Sequence, residues 1–345
     1  MRCGRKLRMA ADDANQGRAQ VRVQLKMRLG FQTTLRDRAA IQGVGVHSAA
    51  PAQVILHPAH VDTGVTFLRT GLSGGRERLL KAKRGNVTHT SLCTTLGDAS
   101  GASISTVEHL LAALSGLRID NVLVEIDGPE MPIMDGSAVD FVRAIDSVGV
   151  AQQARSRRHL KVVKPVRVDH EGGFAEFLPA ESGFRLDVEI DFKSPAIGRQ
   201  RRVFDVDPST FRRDIARART FGFLSDVKAL WEAGYALGSS LQNSVAIDGD
   251  AILNPEGLRY SDEFVRHKAL DAVGDLSLAG APIIGLYRTY RPGHKLNALA
   301  LEALFAHRSA YEILETPAAQ TAIRVRVGAG GAYAPAGAAA FAAAD

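Results

Sequence analysis

The sequence is poor in cysteine, has no long apolar run and lacks several common catalytic motifs. Only Cys3 and Cys93 occur among 345 residues, which excludes a disulfide framework and predicts a reducing, cytoplasmic location. No stretch approaches the roughly 18 consecutive apolar residues of a membrane span, so we expect no stable membrane insertion. The patterns H-E-x-x-H, G-x-S-x-G and G-x-x-x-x-G-K-[ST] are missing, and nothing indicates a serine hydrolase, a nucleotide triphosphatase or a dehydrogenase.

Positive charge is concentrated at one end of the chain. The net charge is +6, but residues 1–40 carry ten Lys/Arg and three Asp/Glu, which leaves about −1 for the other 305 positions. The folded body is therefore not basic, and we expect no nucleic-acid partner. We predict that residues 1–32 form a disordered basic leader, in which Arg22, Lys26 and Arg28 interrupt any secretory signal. We hypothesise that translation starts at Met27.

Strand and helix patterns alternate irregularly, which predicts an α+β fold. In the first half, strands are predicted at 54–56, 64–68 and 121–126, and helices at 106–114 and 139–148. In the second half, strands are predicted at 184–192 and 283–287, and helices at 208–218, 225–233 and about 262–278.

A chain of 345 residues exceeds the ~250–300 residues at which single cores stop growing, so two domains are expected. A polar, basic joint at 152–158 separates them. We predict an N-terminal domain at 33–154, a C-terminal domain at 159–327 and a disordered Ala/Gly tail at 328–345. In each half, a helix with candidate ligands ends near a glycine and leads into an apolar strand, so similar domains that face each other would bring both helices to one cleft.

The late helix carries the first candidate ligands. His267 and Asp271 are four residues apart and share one helical face, where both could hold one ion, and Asp275 extends the row. The alternative is an ordinary exposed helix with ion pairs from Asp262 to Arg266 and from His267 to Asp271. A spacing of this kind occurs more often in ordinary exposed helices than in metal sites.

The early helix carries Glu108 and His109. The alternative here is a capping box, in which Ser105 and Glu108 satisfy free donors at the helix start. A third feature favours catalysis, because His294 follows Gly293 on a predicted flexible turn, where it could act as an acid with Asp275 to orient it. Together the segments supply two imidazoles, one carboxylate ligand and a spare carboxylate base, as a catalytic zinc site requires.

Six strings carry a family resemblance. The chain resembles the UDP-3-O-acyl-N-acetylglucosamine deacetylases, which catalyse the committed step of lipid A biosynthesis in Gram-negative bacteria, from about Leu35 to about Tyr311. The strings are GVGVHS at 43–48, STVEHL at 105–110, PIMDGS at 132–137, RTFGF at 219–223, FVRHK at 264–268 and GH at 293–294.

The resemblance implies two similar domains, each a β-sheet packed on two helices, with small inserted subdomains. The helices of both domains would face each other, with the active site at the junction. It implies zinc held by His109, His267 and Asp271, although Fe(II) suits the same donors. The implied roles are general base for Glu108, general acid for His294, oxyanion stabilisation for Thr220 and orientation of His294 for Asp275.

The resemblance also implies a substrate, UDP-3-O-acyl-N-acetylglucosamine, and residues that bind it. Lys268 would meet its phosphates and Phe192 its uridine, with Phe221, Gly222 and Arg291 nearby. Arg291 stands where the family often has lysine, which keeps the charge and alters the reach. A βαβ insert at about 224–246 would form the acyl passage, with Leu224, Val227 and Leu241 as lining candidates, although core packing explains these three equally well.

Two rival functions stay open. A zinc amidohydrolase acting on another nucleotide sugar would share the metal ligands and lack the acyl passage, and a non-catalytic binding protein would use its histidines structurally. We expect a monomer, for which a lipid-tailed substrate would make transient membrane contact natural.

Overall fold

The computed structural model describes residues 30–315, so Cys3, the predicted leader up to residue 29 and the predicted tail at 328–345 lie outside the described residues. The first half contains, in chain order, β1 (Phe31–Leu35), β2 (Ala39–Val44), β3 (Pro51–Pro58), β4 (Val65–Leu72), β5 (Arg76–Lys81), a 3₁₀ turn (Arg84–Asn86), β6 (Val87–His89), β7 (Thr95–Gly97), β8 (Ser103–Ile104), helix α1 (Glu108–Gly116), β9 (Val122–Ile126), helix α2 (Val139–Val148) and β10 (Val150–Ser156).

The second half contains ten further strands, β11 to β20, and two long helices. In chain order these elements are β11 (Arg158–Val162), β12 (Val166–His170), β13 (Gly173–Leu178), β14 (Phe184–Asp191), β15 (Arg199–Asp205), a helical turn (Pro208–Thr210), a π-helical turn (Phe211–Ile215), β16 (Phe221–Phe223), α3 (Leu224–Glu232), β17 (Val245–Asp248), β18 (Ala251–Ile252), α4 (Glu263–Ser277), β19 (Ile283–Tyr290), α5 (His294–Ala306), a 3₁₀ turn (Arg308–Ala310) and β20 (Tyr311–Glu315).

Each half is organised around its own sheet. The first has the strand order β2-β3-β9-β4-β5, and the second has β12-β13-β19-β11-β20, with β14 paired to β19 and β15 to β14. Side chains of β9 alternate between buried and half-buried positions, as expected for a strand with one face on the core. The α+β class is confirmed, while the domain bounds 33–154 and 159–327 remain a prediction.

Three smaller sheets complete the fold. Strands β6, β7 and β8 form one, β1 pairs with β10, and β16, β17 and β18 form another. Since β16 and β17 run parallel and α3 lies between them in the chain, residues 221–248 form a βαβ unit, which includes the insert predicted at about 224–246. Within residues 30–315, no helix combines the length and the apolar character needed to cross a membrane.

The helix predicted at 208–218 is only partly correct. One α-helical turn gives way to a π-helical turn, in which the Ala216 N–H donates to the Phe211 carbonyl at 2.8 Å. The buried Phe211 ring covers Gly116 at the end of α1, where a β-carbon would lie 2.3 Å from it. The periodic pattern was real, since Phe211 and Ile215 are both buried, but a 3.6-residue repeat cannot reveal a wider turn.

Helices α1 and α4 pack against each other through the core. The two helices approach closely at Gly274, where a β-carbon would stand 2.1 Å from the backbone oxygen of Glu108. Only glycine allows this approach, and it brings the ligand-bearing start of α1 onto the C-terminal part of α4.

We therefore predict that Gly274→Ala lowers the free energy of unfolding. Overpacking against a backbone atom costs about 1–3 kcal/mol, which exceeds the ~1 kcal/mol that alanine gains over glycine in a helix. Urea denaturation would measure the difference. Gly85→Ala is the matched control, because nothing lies within 4 Å of its added β-carbon. Equal stability of Gly274→Ala and the wild type would contradict the close packing.

Candidate metal centre

Three side chains from the two facing helices converge in the core. His109 comes from α1 and His267 and Asp271 from α4, and one ligand atom from each lies within 4.8 Å of the others. The Asp271 Oδ1 atom is 3.3 Å from His267 Nε2 and 3.7 Å from His109 Nε2. The two residues from α4 therefore face a histidine from the other half of the chain.

The donors have the chemical form that a divalent metal ion requires. The Ala218 carbonyl accepts a hydrogen bond from His267 Nδ1 at 3.1 Å, which leaves the Nε2 lone pair for the centre. Burial lowers the pKa of His267 to about 3, so the ring is neutral at pH 7. Although burial opposes ionisation of Asp271, neighbouring charges, including Lys268 with its Nζ at 2.9 Å, hold the pKa of this carboxyl well below its usual range.

An unsatisfied oxygen supports the same conclusion. Among residues 30–315, the buried Asp271 Oδ1 and His109 Nδ1 atoms have no hydrogen-bond partner. A buried carboxylate oxygen left without a donor is costly. Because the same oxygen faces two imidazole nitrogens, the three residues fit a bound metal cation.

A carboxylate and a histidine stand beside this cluster. The Glu108 Oε1 atom lies 3.7 Å from His294 Nε2, and Glu108 Oε2 accepts a hydrogen bond from the Thr94 N–H at 3.0 Å. Burial raises the pKa of Glu108, although the nearby histidines oppose this. Glu108 lies outside the ligand cluster, as a proton-transfer group would.

The capping-box alternative at the start of α1 is wrong. Val107 is the N-cap residue and no side chain caps this helix end. The Glu108 carboxylate turns to Thr94, and the Ser105 hydroxyl accepts a hydrogen bond from the Thr95 hydroxyl at 3.1 Å. Both side chains of the predicted capping box, Ser105 and Glu108, therefore form hydrogen bonds with the 94–95 segment instead of with the helix end.

His294 is oriented by a chain of buried hydrogen bonds. Its Nδ1 donates to Asp275 Oδ2 at 2.9 Å, and Asn297 donates to the same oxygen at 2.8 Å. Thr94 Oγ1 donates to the other Asp275 oxygen at 2.6 Å, and the Tyr287 hydroxyl donates to Asn297 at 2.8 Å. Burial opposes protonation of His294, but the carboxylates of Asp275 and Glu108 raise its pKa to about 10, so the ring is charged at pH 7.

Two features of this region were missed or misassigned from the sequence. His294 does not sit on a flexible turn, because it is the first residue of α5 and Gly293 is its N-cap. The signal was present, since Leu296, Ala300 and Leu304 are buried at helical spacing. Thr94 and Asn297 were not identified, and no local pattern marks either as a partner of Asp275.

Aromatic side chains and a lysine border the metal residues. The Phe221 ring lies 6.2 Å from the His267 ring and 5.6 Å from the Phe192 ring. The Lys268 ammonium is 5.5 Å from the centre of the Phe221 ring and donates to Asp271 Oδ2 at 2.9 Å. The structure thus places Phe221 and Lys268 beside the predicted ligands and Phe192 beside Phe221.

The Arg219–Phe223 segment is anchored on both sides. Thr220 donates its N–H to the Gly136 carbonyl at 2.7 Å. The fully buried Arg219 pairs with Glu263 at the start of α4, with 2.9 Å between Nε and Oε1. These contacts hold Thr220 and the exposed Gly222 next to Phe221.

In the described part of the chain, the remaining predicted residues make no hydrogen bond or ion pair with the three metal ligands. Arg291 pairs with Asp191 at 2.8 Å, and its side chain is 47% exposed. Leu224 and Val227 lie on α3 of the insert and Leu241 lies between α3 and β17. Leu224 and Leu241 are exposed and Val227 is half-buried, so none of the three side chains is fully buried in the core.

Comparisons with known proteins show the family of the chain. Residues 32–306 match a family model described as LpxC, UDP-3-O-acyl N-acetylglycosamine deacetylase. Relatives named UDP-3-O-acyl-N-acetylglucosamine deacetylase in Brucella ovis, Brucella canis and Brucella melitensis are each 50% identical over 286 residues, covering 83% of this chain and 99% of the relative. Because the family match spans most of the chain and the relatives are 50% identical, the chain belongs to the UDP-3-O-acyl N-acetylglycosamine deacetylase family.

Proposed function

We propose that the protein removes the N-acetyl group of UDP-3-O-acyl-N-acetylglucosamine and releases acetate and UDP-3-O-acyl-glucosamine, the committed step of lipid A biosynthesis. The observation that carries the proposal is the convergence of His109, His267 and Asp271 beside Glu108 and His294. A metal-ligand set flanked by a buried carboxylate and a charged histidine suits hydrolysis of an unactivated amide.

The ligand set would hold zinc. When bound, zinc acts as a Lewis acid, which lowers the pKa of a coordinated water to about 7 and polarises a carbonyl. The two imidazoles and one carboxylate of the centre match catalytic zinc sites, which keep a position open for substrate. Fe(II) remains an alternative for the same donors.

Two residues would move the protons. Glu108 takes a proton from the attacking water, and its raised pKa makes this carboxylate a stronger proton acceptor. As the C–O bond forms, the Thr220 hydroxyl donates to the developing oxyanion. His294 then protonates the amine nitrogen as the C–N bond breaks, and Asp275 holds its ring with Nε2 directed to the reacting atoms.

Substrate binding would use the surroundings of the centre. We assign the phosphates to Lys268 with support from Arg291, the uridine to the aromatic group around Phe192, and the backbone near Gly222 to the sugar. The acyl chain would lie along the insert, where apolar Leu224 and Leu241 are exposed to solvent. These exposed leucines favour an acylated substrate over a simple nucleotide sugar.

The first test is deacetylation of the acylated nucleotide sugar with and without a chelator. We expect turnover that stops on chelation and returns with zinc. UDP-N-acetylglucosamine without the acyl chain should react at least about 10²-fold more slowly, since remote binding energy contributes to kcat/KM. Equal rates on both substrates would favour the rival amidohydrolase.

Absence of turnover on either substrate, in a preparation with stoichiometric zinc, would overturn the proposed function.

We further propose that the protein acts in the cytoplasm as a monomer and touches the membrane only transiently. Its small number of cysteines supports the reducing compartment.

A further inference from the structure

A buried carboxylate outside the catalytic set lies under the start of α1. Glu130 is 3% exposed and accepts four hydrogen bonds. Its Oε1 atom accepts from the His47 N–H at 2.9 Å and from Thr106 Oγ1 at 3.0 Å. Its Oε2 atom accepts from the Ser48 N–H at 2.8 Å and from Ser48 Oγ at 2.6 Å.

One of these partners has an unfavourable backbone conformation. Thr106 has a φ of +58°, which a β-branched residue adopts only where the surroundings impose it. Two residues later the chain reaches Glu108 and then His109. The direction in which α1 leaves Thr106 therefore sets where both functional side chains point.

The loop that carries Glu130 is fastened to the same point. The Ser105 N–H donates to the Pro129 carbonyl at 3.0 Å, and the Met131 N–H donates to the Ser105 carbonyl at 2.9 Å. These backbone bonds fix the position of Glu130, and its carboxylate then holds the Thr106 side chain.

The turn at 45–48 completes the arrangement. A β-carbon on Gly45 would lie 2.2 Å from Glu130 Oε2, so glycine lets the turn close over the carboxylate. Two backbone N–H groups of this turn then donate to the Glu130 carboxylate, which is shielded from solvent. All four donors bind this one carboxylate, and local packing alone does not require so many hydrogen bonds to a single side chain.

We propose that Glu130 is a positioning residue that holds Thr106 in its left-handed conformation and thereby aims Glu108 and His109 at the ligands on α4. The proposal rests on the proposed function. It assigns a role to a residue that touches neither metal nor substrate and acts through the start of α1.

Glu130→Gln is the central variant, because it keeps the size of the side chain and replaces one acceptor oxygen with a donor facing other donors. We expect kcat to fall about 10- to 100-fold, as for partners that orient catalytic ligands. KM should change by less than about threefold, since substrate contacts remain. Zinc affinity, measured by chelator competition, should weaken about 10-fold because His109 is displaced.

A second substitution separates positioning from general stability. Thr106→Gly allows the left-handed conformation without strain, so adding Glu130→Gln to it should lower kcat by less than about threefold. Glu125→Gln is the matched control, because this half-exposed residue pairs with His57 on the neighbouring strand and should behave as wild type. If Glu130→Gln does not fold, Thr106→Val breaks the same hydrogen bond from the other side and should reproduce the losses.

Two results would overturn the proposal. One is a Glu130→Gln protein with wild-type kcat and zinc affinity. The other is a loss of kcat that is equally large in the Thr106→Gly background and follows the drop in Tm. An inactive wild type would instead refute the proposed function, and zinc affinity would still decide the role of Glu130.

Discussion

Glu108→Ala should lose most of its turnover while the protein keeps its metal. Glu108 lies beside His109 on α1 but outside the ligand cluster, and its carboxylate is directed to the Thr94 N–H and toward His294. Without this base the attacking water keeps its proton, so we expect kcat to fall about 10²–10⁴-fold, the usual contribution of general acid–base catalysis. Steady-state kinetics and metal analysis of one preparation measure both quantities.

Glu108→Gln is the control for packing. The amide oxygen can still accept from Thr94, so the local structure should survive while the proton acceptor is lost. We expect the same loss of kcat in both variants, with a lower Tm only in Glu108→Ala, where the Thr94 N–H is left without its partner. Near-normal turnover in Glu108→Ala would remove this residue from the mechanism.

The sequence was most informative where a functional pattern coincided with a local repeat. His267, Asp271 and Asp275 follow a four-residue spacing, and all three are buried on α4. Glu108 and His109 are adjacent and follow no such repeat, and their catalytic interpretation was favoured by the presence of His294 instead. The intrahelical contacts of the rival interpretation also exist, since Arg266 pairs with Asp262 at 2.6 Å. That pair lies outside the metal centre, but the rival interpretation also placed His267 and Asp271 on an exposed helix, which is wrong because both side chains are buried in α4.

The sequence was least informative where distant segments meet. Thr94 and Asp275 are 181 positions apart and share a hydrogen bond, and no periodicity encodes such a contact. Glu130 joins Ser48 to Thr106 in the same way. Local signals also failed where tertiary contacts outweighed them, as at Ser105, whose capping motif is unused, and at Phe211, whose turn is wider than an α-helix. The fold class followed from local patterns, whereas the groups that orient the catalytic residues required the fold.

His267→Ala should lose both metal and turnover. This residue is 2% exposed, and its bond to the Ala218 carbonyl fixes the ring with Nε2 toward the centre. Removing one of three protein ligands should weaken zinc binding by more than the roughly 10- to 100-fold that a lost orienting partner costs. Chelator competition would measure the affinity. Thermal unfolding adds a second readout, because a ligand that binds only the folded state raises Tm.

The effect of a chelator on Tm should match the metal affinity of each variant. A chelator should lower the Tm of the wild type and of Glu108→Ala, and it should leave the Tm of His267→Ala unchanged because no metal remains to remove. His57→Ala is the matched control, since this histidine is half-buried, pairs with Glu125 and lies outside the cluster. It should keep both metal and turnover. Stoichiometric metal in His267→Ala would mean that the cation is held elsewhere, and the assignment of His109, His267 and Asp271 as ligands would fail.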